Sequence, residues 1–314
     1  MEMEGSALTL EAITLAELLD SYLHEHLVRP ATAETYRKAV KRWIEETAIL
    51  YVDGVTREAV LAWRNGILRR ARPETWNKYR RHMRALFNHA LERDWANSNP
   101  FQEVPPARTG QRLKKTVGAE LVRRAVRLLE SSEGKLRPGW FWAMVVRAFY
   151  FTGIRRRQLV ELRWGDVDLD AGVWRIRAET SKTHREWFVP LAHEVVEDLK
   201  ELRVRVYQQT ARYPSRTDQV YNVTLFYPRY RGPRMREDQV GGFFHRLSVE
   251  LGGAERITPH RLRHTMATLL AAEGRGDLRT LQELLGHTNI GTTMDYVHPD
   301  VEHMRSLVMR LPRL

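Results

Sequence analysis

Near the end of the chain, LLGHTNIGTTMDYVH (residues 284–298) holds an imidazole, His287, and a phenol, Tyr296, nine positions apart. Upstream, TPHRLRHTMATLL (residues 258–270) places His260 and Arg263 three apart at what reads as a helix start, so both lie on one face and can converge on one small anion. Arg261 and His264 point elsewhere. His260 and His264, four apart, also have the spacing of a zinc pair, but Arg261 stands where the metalloprotease motif needs Glu, and a neighbouring cation opposes a metal ion. No metal and no other cofactor is therefore expected.

Lysine is scarce in this chain, and arginine fills most basic positions. Arginine stays protonated at any working pH, whereas an ammonium can give up its proton, so Lys182 in TSKTH is where a general acid could sit. Taken singly, Lys182 reads first as an ordinary exposed hairpin lysine, and His260 as a hydrogen-bonded structural histidine rather than a metal ligand. Together with Arg155 after FTGI they form an ordered series: Arg155, Lys182, His260 with Arg263, His287, Tyr296.

The elements that must position this series follow from length, charge and periodicity. The chain has 314 residues, enough for two ordinary domains with a core each. Its net charge is +12, spread unevenly: residues 1–30 are acidic, whereas 31–110 and 111–314 are both basic. A basic excess over two successive segments points to a polyanion partner, most commonly nucleic acid. The lack of cysteine removes disulfides, thiolate metal sites and cysteine nucleophiles, and fits a reducing, cytoplasmic setting. The acidic first thirty residues lack the apolar run of a signal peptide. No stretch reaches the roughly 18 apolar residues of a membrane span, and the longest, WFWAMVVRAFYF, is broken by Arg147 and reads as a buried helix.

The first hundred residues read as short amphipathic helices. In TAETYRKAVKRWIEE, Tyr36, Ala39, Val40, Trp43 and Ile44 follow helical spacing and leave Arg37, Lys38, Lys41 and Arg42 outward. In ETWNKYRRHMRALFNHALER, Trp76, Tyr79, Met83, Leu86, Phe87 and Ala90 form the apolar stripe, with Asn77, Lys78 and Arg81 on the far side as candidate DNA contacts. SNPFQEVPPARTGQRLKK gathers proline, glycine and positive charge, the signature of an interdomain linker, and sets the boundary near residue 108. Beyond it, helical patterns run through FTGIRRRQLVELRWGDVDL, GVWRIRAETSKTHREWFVPL alternates as a small antiparallel hairpin with TSKTH at its turn, and everything after about residue 235 is helical again. The expected fold is mainly α with a small antiparallel β-sheet.

The blocks TGIRRRQLVELRWGDVDL, HRLRHTMATLL and LQELLGHTNIGTTMDYVH, in this order and with a hairpin lysine between the first two, resemble the tyrosine recombinase family. These are the phage-integrase and Xer-type site-specific recombinases, related in chemistry to type IB topoisomerases. The likeness runs over most of residues 10–310. Carried over position by position, it implies that Arg155 and Arg263 are the two catalytic arginines, His260 the histidine of the His-x-x-Arg pair, His287 the His/Trp position, Lys182 the hairpin lysine and Tyr296 the nucleophile. Gln158 departs from the pattern, since family members usually carry an acid three residues after the first arginine.

The resemblance gives these residues a chemistry. A phosphodiester resists attack because it is anionic, and bidentate guanidinium groups such as those of Arg155 and Arg263 neutralise its non-bridging oxygens. A phenol with pKa about 10 attacks if a base removes its proton on the way. His260 is the candidate base, and His287 a donor to a phosphate oxygen. Attack by Tyr296 leaves a 3′-phosphotyrosine and a 5′-hydroxyl, with Lys182 protonating the departing oxygen. The ester stores the bond energy, so rejoining needs neither ATP nor metal.

The same likeness implies a helical core-binding domain over residues 1–108 and a mixed α/β catalytic domain over 109–314, clamped around duplex DNA, with no further arm-binding domain ahead of the first. It implies a double-stranded recombination site as partner, assembly into a tetramer on DNA, an accessory directionality protein, and a phage or mobile-element source. The stripe Val301, Met304, Leu307, Val308 and Leu311 packs either on its own domain or on a neighbouring subunit. Two other readings share parts of this pattern: a monomeric topoisomerase-like DNA-relaxing enzyme, and a DNA-binding regulator without catalysis.

Overall fold

The computed structural model describes residues 12–110, 115–131, 135–181, 185–272, 278–286 and 289–294. The chain divides into two compact units, residues 1–112 and 113–314.

The first unit is helical: α1 (Leu15–Glu25), α2 (Pro30–Thr47), α3 (Arg57–Arg70), α4 (Pro73–Leu91) and the single turn α5 (Pro100–Glu103). Helix α1 begins where Thr14 and Glu17 cap each other, the Glu17 N–H donating to the Thr14 hydroxyl at 3.2 Å and the Thr14 N–H to the Glu17 carboxylate at 2.9 Å. Helices α2 and α4 start on proline, whose missing N–H is no loss in a first turn. The apolar stripes turn inward as their spacing expects: Ala39, Val40 and Trp43 of α2 and Trp76, Met83, Leu86 and Phe87 of α4 are buried. Edge-to-face rings, Trp43 on Trp63 at 5.1 Å and on Phe101 at 5.4 Å, fill the centre.

The outward face of α2 is less cationic than its sequence suggests. Lys38 pairs with Glu34, Lys41 with Glu45 and Arg42 with Glu46, each one turn away. The stretch read as a linker is also anchored further than expected. Phe101 and Val104 are buried in the first unit, the Arg80 guanidinium donates to the Val104 carbonyl, and Asn77 grips Ala107 from both sides of its amide. The high proline and charge content conceals two apolar anchors, so the chain leaves this unit only after Ala107.

In the second unit, α6 (Ala119–Glu130), α7 (Gly139–Thr152) and α8 (Arg156–Glu161) precede a sheet of β1 (Val167–Asp168), β2 (Val173–Ile176) and β3 (Trp187–Pro190). Helices α9 (His193–Thr210), α10 (Glu237–Glu250), α11 (Pro259–Ala272), α12 (Leu278–Leu285) and α13 (Ile290–Met294) follow. Helix α7, apolar nearly all round, is the buried axis, packed by α6, α9 and α11. Its one charge, Arg147, is met by both oxygens of Asp198 at 2.7 Å and by Glu130 at 2.6 Å, which is how a cation is held in an otherwise apolar helix.

The sheet is antiparallel in the order β1-β2-β3, with Val173 opposite Pro190 and Ile176 opposite Trp187. It is smaller than the alternation implied: pairing stops at Ile176, and Ala178–Thr180 form a turn of 3-10 helix. It also gains β1 from GDVDL, a strand too short to show as a pattern. Among the described residues no helix is long and apolar enough to cross a membrane.

Candidate active site

Three turns of backbone meet around one guanidinium. Helix α7 ends at Gly153, which takes φ +58°, the left-handed conformation that favours glycine. A Cβ here would also lie 2.1 Å from Met266 Cε on α11, the far end of a flexible side chain that would have to shift, so the backbone conformation is the stronger reason for glycine. Ile154 is buried next to it, and Arg155 follows as the residue that opens α8. Arg155 N–H donates to the Gln158 side-chain oxygen at 2.8 Å. The amide of Gln158 therefore does at the start of α8 what a carboxylate would do, accepting from the backbone of the arginine without adding a negative charge. Its own Nε2 is buried with no hydrogen-bond partner among the described residues.

Arg263, on the second turn of α11, is buried. Its Nη1 donates to the Gly153 carbonyl at 2.5 Å and its Nη2 to the Leu285 carbonyl at 2.6 Å. A guanidinium presents its donors as a rigid fork, and two of them join the turn before Arg155 to the end of α12, two residues before His287. Helix α11 is further pinned by Thr265, whose hydroxyl accepts from the Val117 N–H at 2.7 Å. His260 sits exposed in the first turn of α11. His264, read from sequence as facing elsewhere, is buried with its ring 4.0 Å from that of His260 and inclined by 66°. One turn of helix brings the two rings together, so His264 backs His260.

Three more residues hold the surrounding elements, and sequence reasoning missed all of them. Asp166 is buried and accepts from the Arg163 N–H, Arg175 Nη2 and Arg177 Nε, each at 3.1 Å. Arg177 Nη2 also donates to the Glu161 carbonyl at 2.7 Å, tying the end of α8 to the residue just after β2. Trp187 of β3 covers Gly286, which has φ +61°, and a Cβ there would fall 2.5 Å from the indole ring. The two glycines were visible as TG and LLG at helix ends; their partners Met266 and Trp187 were not, because nothing local ties them together.

Of the six expected catalytic positions, Arg155, His260 and Arg263 are described; Lys182, His287 and Tyr296 lie outside the described residues, as does the stripe Val301–Leu311. Of the three candidate DNA contacts, Lys78 and Arg81 are exposed on α4. Asn77 donates to the Ala107 carbonyl at 2.9 Å and accepts from the Ala107 N–H at 2.8 Å, so its amide is engaged within its own unit.

Residues 125–303 match the model of the phage integrase family. The chain belongs to this family of tyrosine recombinases. It is 35% identical to a Pseudomonas syringae protein provisionally named tyrosine recombinase XerC, over 95% of this chain and 64% of that one, so it spans a little under two thirds of that relative's length. Its fold is similar to the Tn1549 transposon integrase solved with a circular intermediate DNA (TM-score 0.74, 20% identity, 96% of this chain and 100% of that one). It is also similar to a lambda integrase tetramer bound to a Holliday junction (TM-score 0.68, 20% identity, 92% and 80%).

Proposed function

We propose that this protein is a site-specific DNA recombinase that cuts and rejoins strands through a 3′-phosphotyrosine. Tyr296 Oη attacks the phosphorus and its proton passes to His260; the bond from phosphorus to the 5′ oxygen breaks, and Lys182 supplies the proton that oxygen takes. Arg155 and Arg263 bear the charge of the phosphoryl group, with His287 donating to one of its oxygens. Residues 1–112 serve as the DNA-binding unit and 113–314 as the catalytic unit. Assembly as a tetramer on paired recombination sites is supported by the lambda integrase tetramer that shares the fold. An accessory protein that sets direction, a cytoplasmic location and a mobile-element origin complete the reading.

What carries it is the fork of Arg263, which joins FTGIR to the end of LQELLG and so draws three separate sequence blocks to one place. The test is Tyr296→Phe on a nicked duplex carrying a recombination site. The wild-type chain forms a protein–DNA adduct that survives SDS, and the variant, keeping the ring and losing only the hydroxyl, forms none. An adduct from the variant removes Tyr296 from the role.

A further inference from the structure

His82 of α4 is wired in a way that leaves its proton count open. Its Nδ1 lies 2.8 Å from the Lys78 carbonyl, which only accepts, so Nδ1 carries a hydrogen. Its Nε2 lies 2.8 Å from the Thr35 hydroxyl of α2, and that hydroxyl lies 2.7 Å from the Thr32 carbonyl. Thr35 has one hydrogen for two acceptors. With a neutral imidazole, Thr35 must turn that hydrogen to Nε2 and leave the Thr32 carbonyl. With an imidazolium, Nε2 donates to Thr35, Thr35 donates to Thr32, and every contact is satisfied. The wiring favours the charged ring.

The surroundings oppose it. Burial holds His82 below the ordinary imidazole value, and the charges of Arg81 and Lys78 add to this against the pull of the Lys78 carbonyl. From α2, Tyr36 also packs on it, its ring 4.6 Å away. Burial and the 3.0 Å contact with the Tyr22 hydroxyl of α1 raise the Tyr36 phenol well above its usual value, so it stays neutral. Lys78, Arg81 and His82 thus share one face of α4. While the lysines of α2 are paired with Glu34 and Glu45, Lys78 and Arg81 have no carboxylate partner among the described residues.

We propose that this face receives a phosphate of the DNA backbone on Lys78 and Arg81, and that His82 takes up a proton from solvent as the phosphate arrives. The anion offsets the two cations that suppress the imidazolium, and the ring then completes the chain through Thr35 to Thr32. The proposal rests on reading residues 1–112 as a DNA-binding unit. Binding and protonation are reciprocal. Because the bound ring holds its proton more tightly than the free ring, the added affinity is complete below the free-state pKa and is lost as pH rises through the bound-state pKa. With the free ring held below the ordinary imidazole value of 6.5, the loss begins on the acid side of that value and ends where the bound ring titrates.

The test measures affinity of the full chain for a short duplex of arbitrary sequence, at constant ionic strength, across that window. Wild type loses affinity by about tenfold for each unit separating the two pKa values, and His82→Gln loses several-fold less. In parallel, the His82 ring of isotope-labelled wild type is titrated by NMR with and without duplex; its midpoint rises on binding. In Lys78→Ala/Arg81→Ala the free midpoint rises and the increment on binding shrinks. Equal pH slopes in wild type and His82→Gln, an unmoved midpoint, or an undiminished increment in the double variant overturns the proposal. Failure to bind duplex at any pH or salt concentration overturns instead the assignment of this unit to DNA.

Discussion

Arg263 donates to the carbonyl of Gly153 at 2.5 Å, and through that bond a helix late in the chain grips a turn 110 residues earlier. The same side chain holds Leu285. A residue carried over as a catalytic arginine is therefore also a structural fork, and its loss should be felt twice.

Arg263→Ala should slow formation of the covalent adduct by roughly 10²–10⁵-fold, in line with anion-stabilising donors elsewhere. It should also cost about 1–3 kcal/mol of stability, because two buried carbonyls lose their donor. Arg263→Lys keeps the charge but lacks the fork, so both defects should persist in reduced form. Adduct kinetics and urea unfolding read the two effects separately; an alanine variant as stable as wild type would leave the fork without structural weight.

Gly153→Ala should be folded but weaker by about 1–3 kcal/mol, from the left-handed backbone and the approach to Met266. Shortening the partner removes only the second cause. Met266→Ala should therefore cost less in the Gly153→Ala background than alone, with a coupling of at least about 0.5 kcal/mol in the double-mutant cycle. Strict additivity would show that the two residues do not meet.

Asn77→Ala and Lys78→Ala, adjacent on α4, should behave in opposite ways. The first should cost about 1–2 kcal/mol and expose the chain near Ala107 to proteolysis, since its two hydrogen bonds fasten that segment. The second should leave stability unchanged and weaken DNA binding, lowering the log–log salt slope by about 0.9 for the phosphate it no longer meets. Equal salt slopes in Lys78→Ala and wild type would remove Lys78 from the contact surface.

Lys182→Ala should slow cleavage by roughly 10²–10⁴-fold if the lysine protonates the departing 5′ oxygen. A substrate with sulfur in place of that oxygen releases a thiolate whose acid has pKa near 8.5, which leaves without a proton. The variant should recover most of its rate on it, and Arg263→Ala should not. Equal slowness of Lys182→Ala on both substrates would assign the proton to another group.

The helices were legible because their information is local. The stripe from Tyr36 to Ile44, the proline starts of α2 and α4 and the buried axis α7 follow from spacing and composition within a few turns of chain. The sheet was less so: GDVDL is too short to alternate, and the Ala178–Thr180 turn cuts the hairpin inside a run that reads as strand. The packing of the stretch just before the boundary was hidden for a similar reason, since Phe101 and Val104 are single anchors among prolines and charges, and only the core they enter reveals them.

For the site, the sequence by itself determined which side chains stand in which order, from Arg155 to Tyr296, and hence the family and its chemistry. The tertiary structure decided what those side chains are attached to. Asn77, indistinguishable from Lys78 and Arg81 on a helical wheel, fastens Ala107; His264 backs His260; Gln158 fills the place of an acid at the backbone of Arg155; and Met266 and Trp187 meet the glycines that end α7 and α12. Each of these is a contact between groups within a few ångströms in space, and those that join distant segments leave no periodicity in the chain. Residue type and spacing encode what a side chain can do, whereas its partner is set by packing.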